Sequence, residues 1–156
     1  MKTTLSIIEL KKQLLEAARA AVREKIVLQR KAMEDAQKEA NSHKGAMASR
    51  YDTFKEEAQA LRNGHARQVQ ELAEVAALLD QIKPEVCDQI RAGAVVVTSQ
   101  ARYFVSTGLL DDPIVLAGQE YHCISPGAPI LRLVRGKPPG ATIQTPAGPA
   151  RLEEIY

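Results

Sequence analysis

Apolar residues along the first half of the chain fall at helical spacing. Ile7, Leu10, Leu14, Ala18, Ala21, Leu28, Ala32 and Ala36 make one row, interrupted by Lys25, and Ile8, Leu15, Val22, Ile26 and Met33 make a second beside it. Positions three and four apart share a helix face, so the two rows predict a helix whose apolar side is wider than a two-helix seam needs. Ser6-Ile7-Ile8-Glu9 fits a capping box at its start, the Ser and Glu satisfying amides of the first turn. The pattern lapses over Asn41-Ser42-His43-Lys44-Gly45, a run of turn formers. A heptad follows. Tyr51, Ala58, His65, Leu72 and Leu79 recur every seven residues, with Phe54, Leu61, Gln68, Val75 and Ile82 as their partners. This predicts a second helix with a coiled-coil seam and polar insertions at His65 and Gln68, of the kind that set register. Joined by a turn, two such helices pack antiparallel; at ~1.5 Å per residue, roughly 35 residues make a helix about 50 Å long.

The grammar changes at Lys83-Pro84. Before it there is no Pro and only Gly45 and Gly64; after it come all eight Pro and seven Gly, with Val, Ile and Thr enriched. Residues 1–83 are therefore expected to be an antiparallel coiled-coil hairpin with its tip near 41–50, and residues 84–156 a separate domain. In the second domain, Pro84–Ile90 reads as one helical turn. Strands are expected at Ala94–Thr98, Ala101–Ser106, Gln119–Ile124, Ala141–Thr145 and Ala150–Ile155, and a short helix at Ala128–Val134 stopped by Gly136 and Pro138. Pro146-Ala147-Gly148-Pro149 reads as a hairpin turn between the last two strands. The expected class is α+β, with a small antiparallel sheet and a thin core.

Charge and composition narrow the functions. Residues 1–83 hold 15 Lys and Arg against 12 Asp and Glu, and residues 84–156 hold 6 against 7, so neither half carries the dense basic field of a protein that grips phosphates. No apolar run approaches the ~18 residues of a membrane span, and the N-terminal segment lacks the apolar stretch of a signal peptide, which predicts a soluble, cytoplasmic protein. Cys87 and Cys123 are too few for a disulfide framework or a zinc site and read as small core residues. His122 lacks the further ligands a metal needs, so neither a metal nor a cofactor is expected. Tyr103, Phe104 and Tyr121 are expected in the sheet core.

The segment Ile124–Tyr156 resembles the C-terminal domain of the Gre family of bacterial transcription elongation factors. Ser125, Ala128-Pro129-Ile130, Leu131, Gly136-Lys137, Gly140, Thr145-Pro146, Gly148 and Glu154-Ile155 stand where that family has its strand, short helix, glycine turn and closing strands. Arg50-Tyr51-Asp52 with Lys55-Glu56-Glu57 resembles the start of the family's second helix. The resemblance implies a coiled-coil hairpin followed by an FKBP-like domain. It also implies RNA polymerase as partner, the C-terminal domain docking on the rim and the hairpin entering the secondary channel, with nucleic acid touched only indirectly in the elongation complex. Gly127, Ala128, Pro129 and Ile130 are carried over as the docking residues.

At the tip the chain departs from that pattern. Cleavage-stimulating members present an Asp and a Glu that help hold the second catalytic magnesium of the polymerase, work suited to hard oxygen ligands. Counting back from Tyr51 without gaps puts Lys44 and Met47 in those places, and Asn41–Arg50 contains no carboxylate. An ammonium cannot ligate magnesium, and a thioether is too soft. The tip residues expected to face the polymerase centre are Ser42, His43, Lys44, Gly45, Met47, Arg50 and Asp52. The expectation is a regulator, not itself an enzyme, that binds without stimulating cleavage, as a monomer or weak dimer. Two rivals stay open: an FKBP-like prolyl isomerase, whose pocket would draw on Tyr103, Phe104, Tyr121 and Tyr156, and a scaffold that dimerises through the broad face of the first helix.

Overall fold

The computed structural model describes residues 3–42 and 48–156, with the side chains of all of these except 40–42, 48–52 and 54. Two long helices, α1 (Thr4–Ser42) and α2 (Ala48–Gln81), precede β1 (Val95–Thr98), β2 (Arg102–Val105), β3 (Ile114–Leu116), β4 (Gln119–Ile124), α3 (Pro129–Val134), β5 (Thr142–Thr145) and β6 (Gly148–Ile155). The class is α+β, a helical hairpin followed by a six-stranded sheet. Two compact units divide the chain, one of Met1–Ala20 with Leu78–Tyr156 and one of Ala21–Ala77. Among the described residues, no helix is long and apolar enough to cross a membrane.

In the unit Ala21–Ala77 the helices run antiparallel, with His65 Nδ1 on α2 meeting Gln29 Oε1 on α1 at 2.5 Å. Val22, Ala36, Leu72 and Val75 are buried. Leu61 and Gln68 are not in the seam: Leu61 is 52% exposed, Gln68 is exposed, and Val69 is half-buried instead. Burying the apolar Val69 costs no polar desolvation, whereas burying the Gln68 amide without a partner does. Leu28, placed in the apolar row of α1, is 59% exposed. Helix α1 extends through Asn41 and Ser42, where a turn was expected; polar residues of this kind are tolerated in a last turn.

In the other unit, α1 begins three residues before the expected box. Thr3 Oγ1 accepts from the Ser6 amide at 3.1 Å, and the Ser6 hydroxyl donates to the Thr3 carbonyl at 2.9 Å. The N-cap is thus Thr3, whose hydroxyl takes the Ser6 amide, while the Ser6 hydroxyl donates to a carbonyl and does not return the bond to the Thr3 amide as a capping box would. At the other helix end, Arg19 Nη2 donates to the Leu79 carbonyl at 3.2 Å, satisfying one acceptor of α2's last turn. Arg19 Nε lies 3.0 Å from Asp80 Oδ1 but off the N–H axis, so that contact is electrostatic only. Residues 82–92 are irregular, and the helical turn expected at Pro84–Ile90 does not form. Instead Cys87 and Ile90 turn inward against the core.

Sheet order is β3-β4-β2-β1-β6-β5. Four pairings are antiparallel, but β2 and β4 run parallel, with Tyr103 opposite His122 and Phe104 opposite Cys123. The sheet is therefore mixed, correcting the wholly antiparallel expectation. The physical reason is β3, a strand the sequence reading lacked: the chain leaves β2, passes outward to β3 and returns as β4 beside β2. The β3–β4 turn uses Ala117 at φ 51° and Gly118 at φ 74°, the twist a two-residue hairpin requires. Gly148 and Pro149 belong to β6, leaving Pro146-Ala147 as the turn. Pro149 is tolerated because β1 pairs with β6 only from Leu152 onward, so the missing N–H faces no strand there. Val95, Val96 and Val97 are all buried, so both faces of β1 are covered. On one face Val96, Val105, Ile143 and Leu152 pack with Leu131 and Val134 of α3.

Candidate functional site

The segment Ser125–Arg135 is built to present a loop on a fixed helix. The Ala128 amide donates to the Ser125 carbonyl at 3.0 Å, closing a turn directly after β4. Pro129 opens α3, where a proline's missing N–H costs nothing and its fixed φ suits the first helical turn. Leu131 and Val134 point into the core. The Arg135 amide donates to the Leu131 carbonyl at 3.0 Å, and its guanidinium donates to the Pro126 carbonyl at 3.2 Å, tying the helix's end back to the loop at its start. Of the four expected docking residues, Gly127 and Pro129 are exposed, while Ala128 and Ile130 are half-buried against the core. Arg132, Arg135 and Lys137 are exposed beside them, a basic margin that the sequence reading did not single out.

Ala128 and Pro129 also form one wall of a groove of about 530 Å³, with Tyr103, His122 and Asp111 among the other lining residues. The Tyr103 and His122 rings lie tilted at 44° with centroids 6.1 Å apart. Burial holds the Tyr103 hydroxyl above its ordinary pKa. Burial likewise raises the Cys123 thiol, outweighing a hydrogen bond with Ser106. Phe104, Tyr121 and Tyr156 are buried, and Tyr103 alone of the four aromatics named for an isomerase pocket lines this groove.

Ser42 closes α1 and Arg50 and Asp52 stand near the start of α2, by backbone position. His43, Lys44, Gly45 and Met47 lie outside the described residues. The four residues expected to dock are consecutive and form the turn and first residues of α3, while Ser42, Arg50 and Asp52 lie at the facing ends of α1 and α2 in the chain.

One polar cluster was missed. Lys11 is 1% exposed, and its Nζ donates to the Glu85 carbonyl at 2.7 Å and to Cys87 Sγ at 3.4 Å. Burial pushes the Lys11 ammonium below its ordinary value, against the opposing influence of Cys87. The signal was present: Lys11 lies four residues after Ile7 and three before Leu14, inside the apolar stripe. Nearby, Arg91 Nη2 donates to Glu85 Oε1 at 3.0 Å at the surface. Both cysteines are free and buried, and among the described residues no group of His, Cys, Asp or Glu is placed to hold a metal ion.

No family model matches the sequence, and no curated protein matches it. Among solved structures the chain is similar to the GreA factor homolog 1 (Gfh1) protein of Thermus thermophilus, at 16% identity over 88% of this chain and 94% of that one, with a TM-score of 0.37. It is also similar to Thermus aquaticus Gfh1, at 17% identity over 90% of this chain and 95% of that one, with a TM-score of 0.36.

Proposed function

We propose that the chain is a Gre-like transcription factor, not itself an enzyme, that binds RNA polymerase, places its hairpin in the secondary channel and regulates elongation without stimulating transcript cleavage. The observation that carries this reading is the order of parts. A hairpin of a 39-residue and a 34-residue helix precedes a small sheet domain whose post-β4 loop and short helix stand at the surface, as the resemblance of residues 124–156 implies. Helices of that length serve reach better than core building. The binding role falls to Gly127 and Pro129, with Ala128 and Ile130 fixing their place. Absence of any carboxylate from Asn41 to Arg50 supports occupancy of the channel without magnesium delivery. Such a factor competes with cleavage-stimulating factors for one site.

The test is competition. Purified protein titrated into bacterial RNA polymerase holding a labelled, active Gre factor should displace the label in proportion to occupancy. Unchanged label at saturating protein would overturn the reading. A second reading, a hairpin that dimerises as a scaffold, is favoured by the exposure of Val27, Leu28 and Leu61. A solution mass independent of concentration would count against it.

A further inference from the structure

The geometry points to Lys11 and Cys87 as a site of oxidative cross-linking, in which peroxide joins the lysine nitrogen to the cysteine sulfur and staples α1 to the segment that leads into β1. Three atoms make the site. Lys11 Nζ lies 2.7 Å from the Glu85 carbonyl oxygen and 3.4 Å from Cys87 Sγ, and Sγ lies 3.6 Å from that same oxygen. One carbonyl therefore holds both amine and thiol, and the two sit at contact distance before any reaction, the arrangement that turns a bimolecular step into an intramolecular one.

The environment suits both halves of the chemistry. Amine and sulfur face each other at 3.4 Å, and the form of a cysteine that attacks peroxide is the thiolate. Burial, which disfavours the ammonium, makes the neutral amine more available for the second step. Cys87 is 2% exposed, yet Val86 and Asp88 on either side are exposed, so the sulfur lies one residue beneath the surface of an irregular segment.

The steps balance. The sulfur of Cys87 attacks one oxygen of hydrogen peroxide; the O–O bond breaks, and the leaving hydroxide departs as water with the thiol proton. A sulfenic acid remains. Lys11, having released its extra proton to solvent, attacks Sγ through the nitrogen lone pair; the S–O bond breaks, and hydroxide leaves as water with a proton from that nitrogen. The product is a sulfenamide, with an S–N bond in place of the S–H. Sulfur has lost two electrons and peroxide has become two waters.

The experiment treats the full-length protein with hydrogen peroxide and reads the intact mass, then the peptides. The expected result is loss of two hydrogens, one peptide pair joined through Lys11 and Cys87, and return to the starting mass with a thiol reductant. Cys123→Ser should react as the wild type does, whereas Lys11→Arg, which keeps the charge but lacks the amine, should give no joined peptides. If Lys11→Arg fails to fold, peptide mapping of the wild type still decides. Unchanged mass would overturn the proposal, as would oxygen added at Cys87 with Lys11 still cleavable by trypsin.

Discussion

Lys11 Nζ donates to the main-chain carbonyl of Glu85 at 2.7 Å, joining the first helix to the segment after the second across 74 positions of sequence. A buried ammonium satisfied by one carbonyl and one thiol is costly to desolvate, and removing it leaves the carbonyl with only the weak thiol donor of Cys87. Lys11→Ala, which also leaves a cavity, should lower stability by about 2–4 kcal/mol. Lys11→Met, which keeps most of the volume, should cost about 1 kcal/mol. Chemical unfolding of the two variants beside wild type checks the order.

The same residue sets a pH dependence. Its folded pKa lies below the ordinary lysine value of 10.5. Between the folded value and 10.5 the unfolded chain binds more protons than the folded one, so Lys11 contributes stability that rises with pH across that window. Cys123 and Tyr103 act the other way, since burial raises both and their contribution falls above the ordinary thiol and phenol values of 9.0 and 10.0. The difference between wild type and Lys11→Met isolates the first effect and should shift in favour of wild type as pH rises toward 10.5. A difference constant with pH would contradict it.

Two glycines should respond with opposite sign to alanine. At Gly93, φ is 97° and an added Cβ would stand 2.9 Å from Ile82 Cγ2, so Gly93→Ala should lose about 1–3 kcal/mol. Gly64 lies inside α2 with nothing near its Cβ position, so Gly64→Ala should gain about 0.5–1 kcal/mol through helix propensity. Melting curves of both variants are the check.

Ala117 holds φ 51° in the β3–β4 turn, a left-handed conformation that glycine adopts more easily. Ala117→Gly should therefore stabilise the fold by about 0.5–1 kcal/mol. A loss in thermal unfolding would mean that the alanine methyl makes a contact that outweighs the strain.

That turn also shows where the sequence stopped being legible. The hairpin helices, α3 and five strands could be read because periodicity and Pro/Gly punctuation report local structure directly; Gln119–Ile124 matches residue for residue. Strand β3 was missed because it has three residues and its Ala-Gly turn lacks the Asn-Gly or Asp-Gly signature. Without β3 the return path that makes β2 and β4 parallel cannot be inferred. The segment expected to dock was read by resemblance, and the structure adds what sequence could not, that Gly127 and Pro129 are exposed while Ile130 is half-buried. Lys11 was passed over because its partners lie more than 70 positions away, although its place in the apolar stripe marked it.

Pro129 separates docking from folding. It is exposed and begins α3, where glutamate is equally well placed, so Pro129→Glu should leave the melting temperature close to wild type. On the proposed reading it should weaken polymerase binding at least tenfold, measured as displacement of a labelled factor. Full binding by a folded Pro129→Glu protein would move the docking surface elsewhere.

The central claim is a factor that occupies the polymerase channel with a tip unable to support magnesium. It is tested most directly by transcript cleavage in stalled elongation complexes, with binding to the same polymerase followed in parallel. The account predicts binding, no shortening of the transcript, and inhibition of an added cleavage-stimulating Gre factor. Shortened transcripts with this protein alone would contradict the tip assignment, and no binding at all would contradict the function.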